Sequence, residues 1–507
     1  MSNKVCLVIP PSIFLLDERV FTNLGILRIA AVLEQAGKAV EVLDLSGVSN
    51  YEEVVSLHAK NSDAGWFGIT VTTPQMPATA KIARAIRTAR PNSKLIIGGP
   101  HPTLIFAALK RETKLGIING RASIAAEQLH ELFDKIVAGD GEDAVFEVLE
   151  SPDEKTFIDA DDPKGPLFMT NARYEKMPEP ARHLIDLETY HYSIENHRAT
   201  SLIAQLGCPF SCTFCGGRQS PMLRRIRTRS TQSIVSELEN IHKTYGYTGF
   251  MFYDDELNVN KSMVELMDEI TRLQERLGVE FRLRGFVKAE LFNEKQEQAL
   301  YRAGFRWLLT GFESGSPRIL ENIDKKATRE DNTRCFEIAR NNNLKVKALM
   351  SIGHAGESLE TIRDTQDWLM AVQPDDFDVT IITTYPGTPY YDYATETSPG
   401  IWTYVAPKNG DRLHAVALDY NETADYYKGD PDGGYKAYVF TDFLSSDDLV
   451  NLRGEVESSV REKFNIPFNP GAAATNFEHS MGQTHLPTTI LRKSIEKKKS
   501  MKLSVIQ

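Results

Sequence analysis

Long hydrophobic runs, a basic excess and a disulfide framework are all missing from this chain of 507 residues. The first apolar stretch, Val5 to Ile9, is stopped at once by Pro10 and Pro11. It is too short for a signal-peptide core or a membrane span and reads as a buried strand, so no membrane span is expected. Acids outnumber bases, 69 Asp and Glu against 58 Lys and Arg, for a formal net charge of −11. That balance speaks against a broad phosphate-binding surface and against nucleic acid as a main partner. The one strongly basic stretch, residues 492–500, is either a contact for anionic surfaces or a solvated, frayed end. Five cysteines, three of them clustered, are too few and too unevenly placed to staple a fold. They suit free thiolates in a reducing cytoplasm. Repeats at solenoid or propeller periods are absent as well.

What is present is an alternation of short apolar runs and amphipathic stretches, over a length that calls for two or three domains. Within residues 1–150, runs at 5–9, 39–43, 66–71, 95–97 and 136–138 predict strands, and 25–36, 78–89 and 125–133 predict helices. Such alternation gives an α/β domain, a doubly wound, Rossmann-like parallel sheet with ligands expected at the carboxyl ends of its strands. Residues 104–123 read as an insertion between the fourth strand and the last helix, and the polar, proline-bearing residues 151–199 as a linker. Across 200–389, six strand–helix units (strands at 201–206, 249–253, 280–286, 305–310, 345–352 and 378–384) predict a partial (β/α)6 barrel. Residues 390–507, rich in tyrosine and with a helix at 446–463, read as a smaller α+β cap. That cap either faces a substrate or simply closes the barrel.

Chemistry concentrates in Cys208-Pro-Phe-Ser-Cys212-Thr-Phe-Cys215, directly after the first barrel strand. Three thiolates serve a four-iron cubane and leave one iron open, and Cys6 and Cys335 are too distant in sequence to be obvious fourth ligands. Structural zinc is the competing reading, with His183, His191 and His197 as possible completing donors. After the second strand, Asp254, Asp255 and Glu256 are costly to desolvate unless they meet a cation or donor groups; otherwise they are an ordinary acidic helix start. Arg282, Arg284 and Lys288 are spaced by even numbers along the third strand and so share a face. Either Arg284, the first choice, pairs with a ligand carboxylate, or the row is a solvated basic edge. The fourth and fifth strands end in Gly311-Phe-Glu313-Ser-Gly-Ser316 and Ser351-Ile-Gly353-His354-Ala-Gly-Glu357, and Tyr385-Pro-Gly-Thr-Pro389 reads as a rigid turn.

In this order, over residues 4–390, these motifs resemble the radical S-adenosylmethionine (SAM) enzymes that carry a cobalamin-binding domain. The resemblance implies a 4Fe–4S cluster on Cys208, Cys212 and Cys215 with SAM at the open iron. It implies SAM contacts from Phe214, Asp254, Asp255, Glu256, Arg284, Glu313, which takes the ribose hydroxyls, Ser351 and Gly353. His354 stands at an unusual place in its motif. For cobalamin it implies Asn23, Leu24, Thr72, Thr73, Gln75, Gly98, Gly99, His101, Gly139, Gly141 and Glu142. The D-x-H-x-x-G motif that gives other corrinoid proteins a cobalt-ligating histidine is absent. The activity implied is methylation of an unactivated carbon or phosphorus of a small molecule, with electrons from a flavodoxin or ferredoxin type of donor. Ring contraction, cyclisation or oxidation with the same cofactors is the second reading, and an iron–sulfur electron carrier or a cobalamin sensor the third.

Overall fold

The computed structural model describes residues 4–15, 18–150, 156–217, 219–425 and 436–466; the basic stretch 492–500 lies outside them. The N-terminal unit is a parallel six-stranded sheet made of β1 (Val5–Ile9), β2 (Val40–Asp44), β3 (Trp66–Thr70), β4 (Lys94–Gly98), β5 (Lys135–Gly139) and β6 (Phe157–Ala160), in the order β2-β1-β3-β4-β5-β6. Pleating sends Val5, Leu7 and Ile9 to one apolar cluster and Cys6 and Val8 to another, so both faces of the sheet are covered, as the continuous apolar run of β1 requires. The first of those clusters runs on without a break into the barrel core, through Phe250, Leu283 and Leu308.

Two expectations need correction here. The segment expected to be a linker supplies β6, which pairs in parallel with β5; its buried residues alternate with partly exposed ones, and Asp159 interrupts the apolar signal. The expected insertion is mostly the helix Pro100–Leu115, whose Phe106 ring stacks on Phe157 at 3.9 Å between centroids. This helix is lodged against the second domain: Leu104 approaches both Gly216 and Gly387, where a Cβ would meet it at 3.6 Å and 3.1 Å respectively.

The second sheet holds β7 (Ser193–Ile194), β8 (His197–Leu202), β11 (Gly249–Phe252), β12 (Arg282–Phe286), β13 (Phe305–Glu313), β14 (Lys345–Ile352) and β15 (Asp376–Ile381). A separate two-strand ribbon pairs β9 (Gln205–Leu206) with β10 (Arg227–Thr228). The sheet order is β15-β14-β13-β12-β11-β8-β7, parallel from β8 to β15, with β7 antiparallel at one edge. Its other edge, β15, is covered by the helix Ser446–Phe464. Glu457 accepts a hydrogen bond from Val379 N at 2.7 Å, Arg453 donates to Val379 O at 2.6 Å, and Arg461 donates to Phe377 O. Side chains thus take the place of a further strand and leave no open row of backbone groups there. Beyond the barrel, β16 (Thr395–Ser398), β17 (Ile401–Val405), β18 (Arg412–Val416) and β19 (Val439–Thr441) form an antiparallel sheet. It is pinned to the first domain by the Arg121 guanidinium, which lies 3.7 Å from the ring centroids of both Tyr391 and Trp402. Among the described residues no helix is long and apolar enough to cross a membrane.

Behind the barrel mouth, Glu237 of the helix Thr231–Tyr245 is fully buried between Arg182, at 2.8 Å, and Arg229. Burial works to raise its pKa, but the two guanidinium groups overcome it and hold the carboxyl at about 2, against an ordinary 4.5. A carboxylate depressed in the folded state stabilises fully above its unfolded value and loses that contribution as pH falls toward the folded one. Between about pH 6 and about pH 3, the melting temperature of metal-free wild type should therefore fall more steeply than that of Glu237→Gln, which starts lower because two buried arginines lose their partner. Parallel slopes would remove Glu237 from the acid response.

Candidate functional site

The loop carrying the three cysteines is closed at its base by the ribbon of β9 and β10, and its backbone is fixed residue by residue. Gly207 N donates to Asp255 at 3.0 Å, Cys208 N to Leu223 O at 3.0 Å, Cys215 N to Cys212 O at 3.3 Å, and Thr213 N to Ile323 O at 2.9 Å. Burial pushes the Cys208 thiol up to about 11; it also raises Cys212, against the pull of Lys325 and Lys288. These thiols hold their protons until a metal displaces them, and the lysine charges then offset the thiolates. The proposed zinc donors are engaged elsewhere: His183 with Glu34 and His197 with Thr248, both at 3.0 Å, while His191 is exposed. Cys6 is buried beside His58, and Cys335 is buried in the helix Arg329–Arg340. The donor set fits an iron–sulfur cluster with three protein ligands.

Of the acidic trio, Asp254 lies beneath the loop. It accepts the amides of Gln205 and Ala204 and is pushed up to about 7 by burial, so its oxygens serve the backbone. Asp255 is exposed beside the thiols. Glu256 is raised by burial to about 7, with Lys325 and Lys288 opposing. Arg284 is not in this group. It points into the barrel beside Tyr192 and 5.6 Å from the Trp307 ring, with Nε and Nη2 unpartnered among the described residues. The cation of its row that reaches the cluster loop is Lys288, 4.2 Å from the Phe210 ring and 2.6 Å from Glu290. Lys325, which no sequence signal marks because it sits in the charged run Asp324-Lys325-Lys326, is almost wholly buried.

Glu313 ends β13 at a register shift, with φ of 68°, a conformation costly for a residue bearing a side chain. Its carboxylate accepts from Lys325 at 3.1 Å and from the Ser351 hydroxyl at 2.8 Å. Phe214 packs on Ile319, Leu320 and Ile323. At Gly353 an added Cβ would meet Val439, Ile381 and Leu449 at 3.2 to 3.4 Å, so the tight approach there is that of the cap and the sealing helix.

The expected cobalamin residues gather at the carboxyl edge of the first sheet. Thr72 and Gln75 form a capping box, and Gln75 also donates to Ser12 at 3.0 Å. The Thr73 hydroxyl lies 3.2 Å from His101 Nδ1, and burial lowers His101 to about 3, keeping it neutral. Asn23 caps the helix that Leu24 begins, while Gly141 and Glu142 open the helix Gly141–Glu150. Thr103 ties two loops together: its hydroxyl donates to Gly99 O at 2.8 Å and accepts from Gly139 N at 2.9 Å. Gly99 and Gly139 have φ of 100° and 97°. A Cβ on the first would press on Thr70 and Val71 at 3.0 Å, and one on the second would overlap the Ala160 backbone, so both glycines answer to their own chain. Gly98 differs, since a Cβ there meets only Val137 at 3.9 Å. That open strand end fits a broad planar ligand. The same edge grips the segment after the cysteines: Asp140 is ion-paired with fully buried Arg227, and Asp161 accepts from Ser220 Oγ at 2.7 Å and Met222 N at 2.8 Å.

Residues 202–369 match the family model of the radical SAM superfamily and residues 18–130 that of the B12 binding domain. The chain is 25% identical over 396 residues, 77% of its length and 83% of the relative's, to an uncharacterized methyltransferase of Pyrococcus horikoshii. It is 24% identical over 320 residues, 59% of its length, to the anaerobic magnesium-protoporphyrin IX monomethyl ester cyclase of Rubrivivax gelatinosus, of which it spans 54%. Its fold is that of the radical SAM methyltransferase TsrM from Kitasatospora setae, solved with tryptophan substrate and a SAM analog: the TM-score is 0.66 over 94% of this chain and 93% of that one, at 18% identity. The chain is a radical SAM enzyme with a B12-binding domain ahead of its radical SAM domain, and the cofactors of those domains are a 4Fe–4S cluster, SAM and cobalamin.

The glycine geometry separates ligand space from backbone strain. Gly98→Phe should lose most of the corrinoid, read from the visible spectrum of the purified protein, with its melting temperature little changed. Gly99→Ala should lower stability by about 1–2 kcal/mol with or without corrinoid. Normal corrinoid content in Gly98→Phe would put the ring elsewhere.

Proposed function

We propose that this protein is a cobalamin-dependent radical SAM methyltransferase acting on an unactivated carbon or phosphorus of a small molecule. One observation carries the reading: the cysteine loop and the carboxyl edge of the first sheet are locked together by Asp140–Arg227, by Asp161 with Ser220 and Met222, and by Leu104 against Gly216. A site for radical generation and a site for methyl delivery thus share one wall. When bound, the cluster supplies the electron that cleaves SAM, and cobalamin supplies the methyl group.

The chain's own residues hold and orient the reactants. Cys208, Cys212 and Cys215 ligate three irons, and the lysine charges at 288 and 325 offset the thiolates. Asp255 and Glu256 face the ammonium of SAM, Lys288 takes the carboxylate role expected of Arg284, and Glu313 accepts the ribose hydroxyls through lone pairs left over from Lys325 and Ser351. Thr73, His101 and the open end of β4 at Gly98 receive the corrin, and neutral, buried His101 adds no charge there. A cavity of about 280 Å³ lies where His101, Arg121 and Gln128 of the first domain meet Thr384, Tyr420 and Asn421. Its size suits a small substrate, which supports reading the C-terminal unit as the substrate side. Electrons come from an external donor of flavodoxin or ferredoxin type.

The likeness to the cyclase favours a second reading, in which the same cofactors drive cyclisation or another oxidation without methylation. Product balance separates the two. A methyltransferase forms S-adenosylhomocysteine and methylated product together with 5′-deoxyadenosine and methionine; a non-methylating enzyme forms 5′-deoxyadenosine and methionine without S-adenosylhomocysteine. Replacing Cys208, Cys212 and Cys215 with alanine should abolish iron binding and SAM cleavage while corrinoid binding persists. Retained iron in the triple variant would overturn the cluster assignment.

A further inference from the structure

His354 occupies a position that neither the cluster nor the acidic residues explain. It is fully buried, its ring lies edge-on to Phe214 at 5.2 Å between centroids, and burial lowers its pKa to about 3, so the imidazole is neutral. A neutral imidazole donates at one nitrogen and accepts at the other. Its neighbours settle which. Glu313 carries a carboxylate paired with Lys325 and can only accept, so the Ser351 hydroxyl gives its proton to Glu313, at 2.8 Å. The lone pairs of Ser351 are then what faces His354 Nε2, 2.8 Å away, and Nε2 must bear the hydrogen. Nδ1 is left as the acceptor and takes the Tyr390 hydroxyl at 3.2 Å. The Tyr390 amide in turn donates to Thr213 O at 3.3 Å, and Thr213 stands between Cys212 and Cys215. The side-chain hydrogen bonds of this row all point one way, from Tyr390 through His354 and Ser351 to Glu313.

We propose that His354 is a positioning residue for SAM: by donating from Nε2 to Ser351 it orients the Glu313 carboxylate that receives the ribose, and through Tyr390 and Phe214 it keys that orientation to the cluster loop. The inference rests on the ribose role of Glu313 given above. Glu313 needs such support because its backbone is strained, and an acceptor that must meet two ribose hydroxyls cannot turn freely. An apolar ring of similar size in place of His354 would fill the space but leave the Ser351 lone pair and the Tyr390 hydroxyl without partners.

The test compares His354→Phe, which keeps the ring, with His354→Gln, whose amide N–H reaches Ser351. Each is reconstituted with cluster and measured for iron content, for SAM affinity by equilibrium dialysis, and for the SAM-induced change in the electron paramagnetic resonance spectrum of the reduced cluster. His354→Phe should keep full iron and bind SAM about tenfold more weakly, the spectral change returning at higher SAM. His354→Gln should lie within about threefold of wild type. On a Glu313→Ala background, His354→Phe should add little further loss. Wild-type affinity in His354→Phe, an equal loss in both variants, or full additivity with Glu313→Ala would overturn the proposal. Loss of iron in His354→Phe would overturn it as well, since a residue that only positions SAM leaves the cluster in place. If Glu313→Ala itself binds SAM normally, the ribose assignment fails and the inference with it, whereas a loss in Glu313→Ala with none in His354→Phe removes His354 alone.

Discussion

The ion pair between Asp140 and Arg227 is the contact on which the rest of the site depends. Arg227 is fully buried, and a guanidinium taken out of water is tolerated only with its counter-charge in place. Asp140 belongs to the turn after β5 and Arg227 to the ribbon that closes the cysteine loop, so this ion pair forms only when the two domains are docked. The net stability from such a pair is small, because desolvation consumes most of the Coulomb energy, yet loss of one partner is expensive. It therefore acts as a registration device. Asp161 accepts two further hydrogen bonds from the same segment, and Leu104 packs on Gly216, so the chain after the cysteines has little freedom to shift against the first sheet. A reaction that brings together groups held by two domains requires this rigidity.

Much of this was legible in the sequence because strand ends carry motifs. The cysteine triplet, Glu313 and Ser351 all sit at or just past the carboxyl end of a parallel strand, where period-two burial and flanking glycines mark the boundary. Depth along a strand was less legible. Even spacing puts Arg284 and Lys288 on one face, but only the fold shows that Arg284 lies inside β12 against Tyr192 while Lys288 stands beyond its end at the loop. The surroundings of Asp254 were hidden for a related reason: nothing local shows that the amides of residues 204 and 205 turn back to meet it. Lys325 was invisible because the groups whose charges it meets when buried, Glu313, Glu256 and Cys212, come from three other segments.

Glycines show the limit of sequence reading in another way. Gly99, Gly139 and Gly353 fall in loops where a ligand is expected, and a missing side chain reads naturally as room for one. Each is also required by its own chain: all three have positive φ, the first two beside Thr70, Val71 and Ala160, the third beside Val439, Ile381 and Leu449. Gly98, the one with space beside it, has no distinguishing local pattern. A glycine motif thus localises a site more reliably than it names the contact.

The sealing of β15 alters how the C-terminal part is understood. An open half-barrel leaves an edge strand whose backbone groups must be paired, covered or solvated. Here Glu457, Arg453 and Arg461 bind that edge, and Arg461 with Lys347 also neutralises Asp376 and Asp378. The helix Ser446–Phe464 is therefore part of the barrel in physical terms, although it follows the cap sheet in sequence. Gly353 lies directly beneath Leu449 of this helix, and His354 is the next residue. The closure at the far edge and the hydrogen-bond row that ends on Glu313 thus share one turn of backbone, which makes the end of the described chain a support for the SAM-facing side of the barrel as well as a cover for its edge.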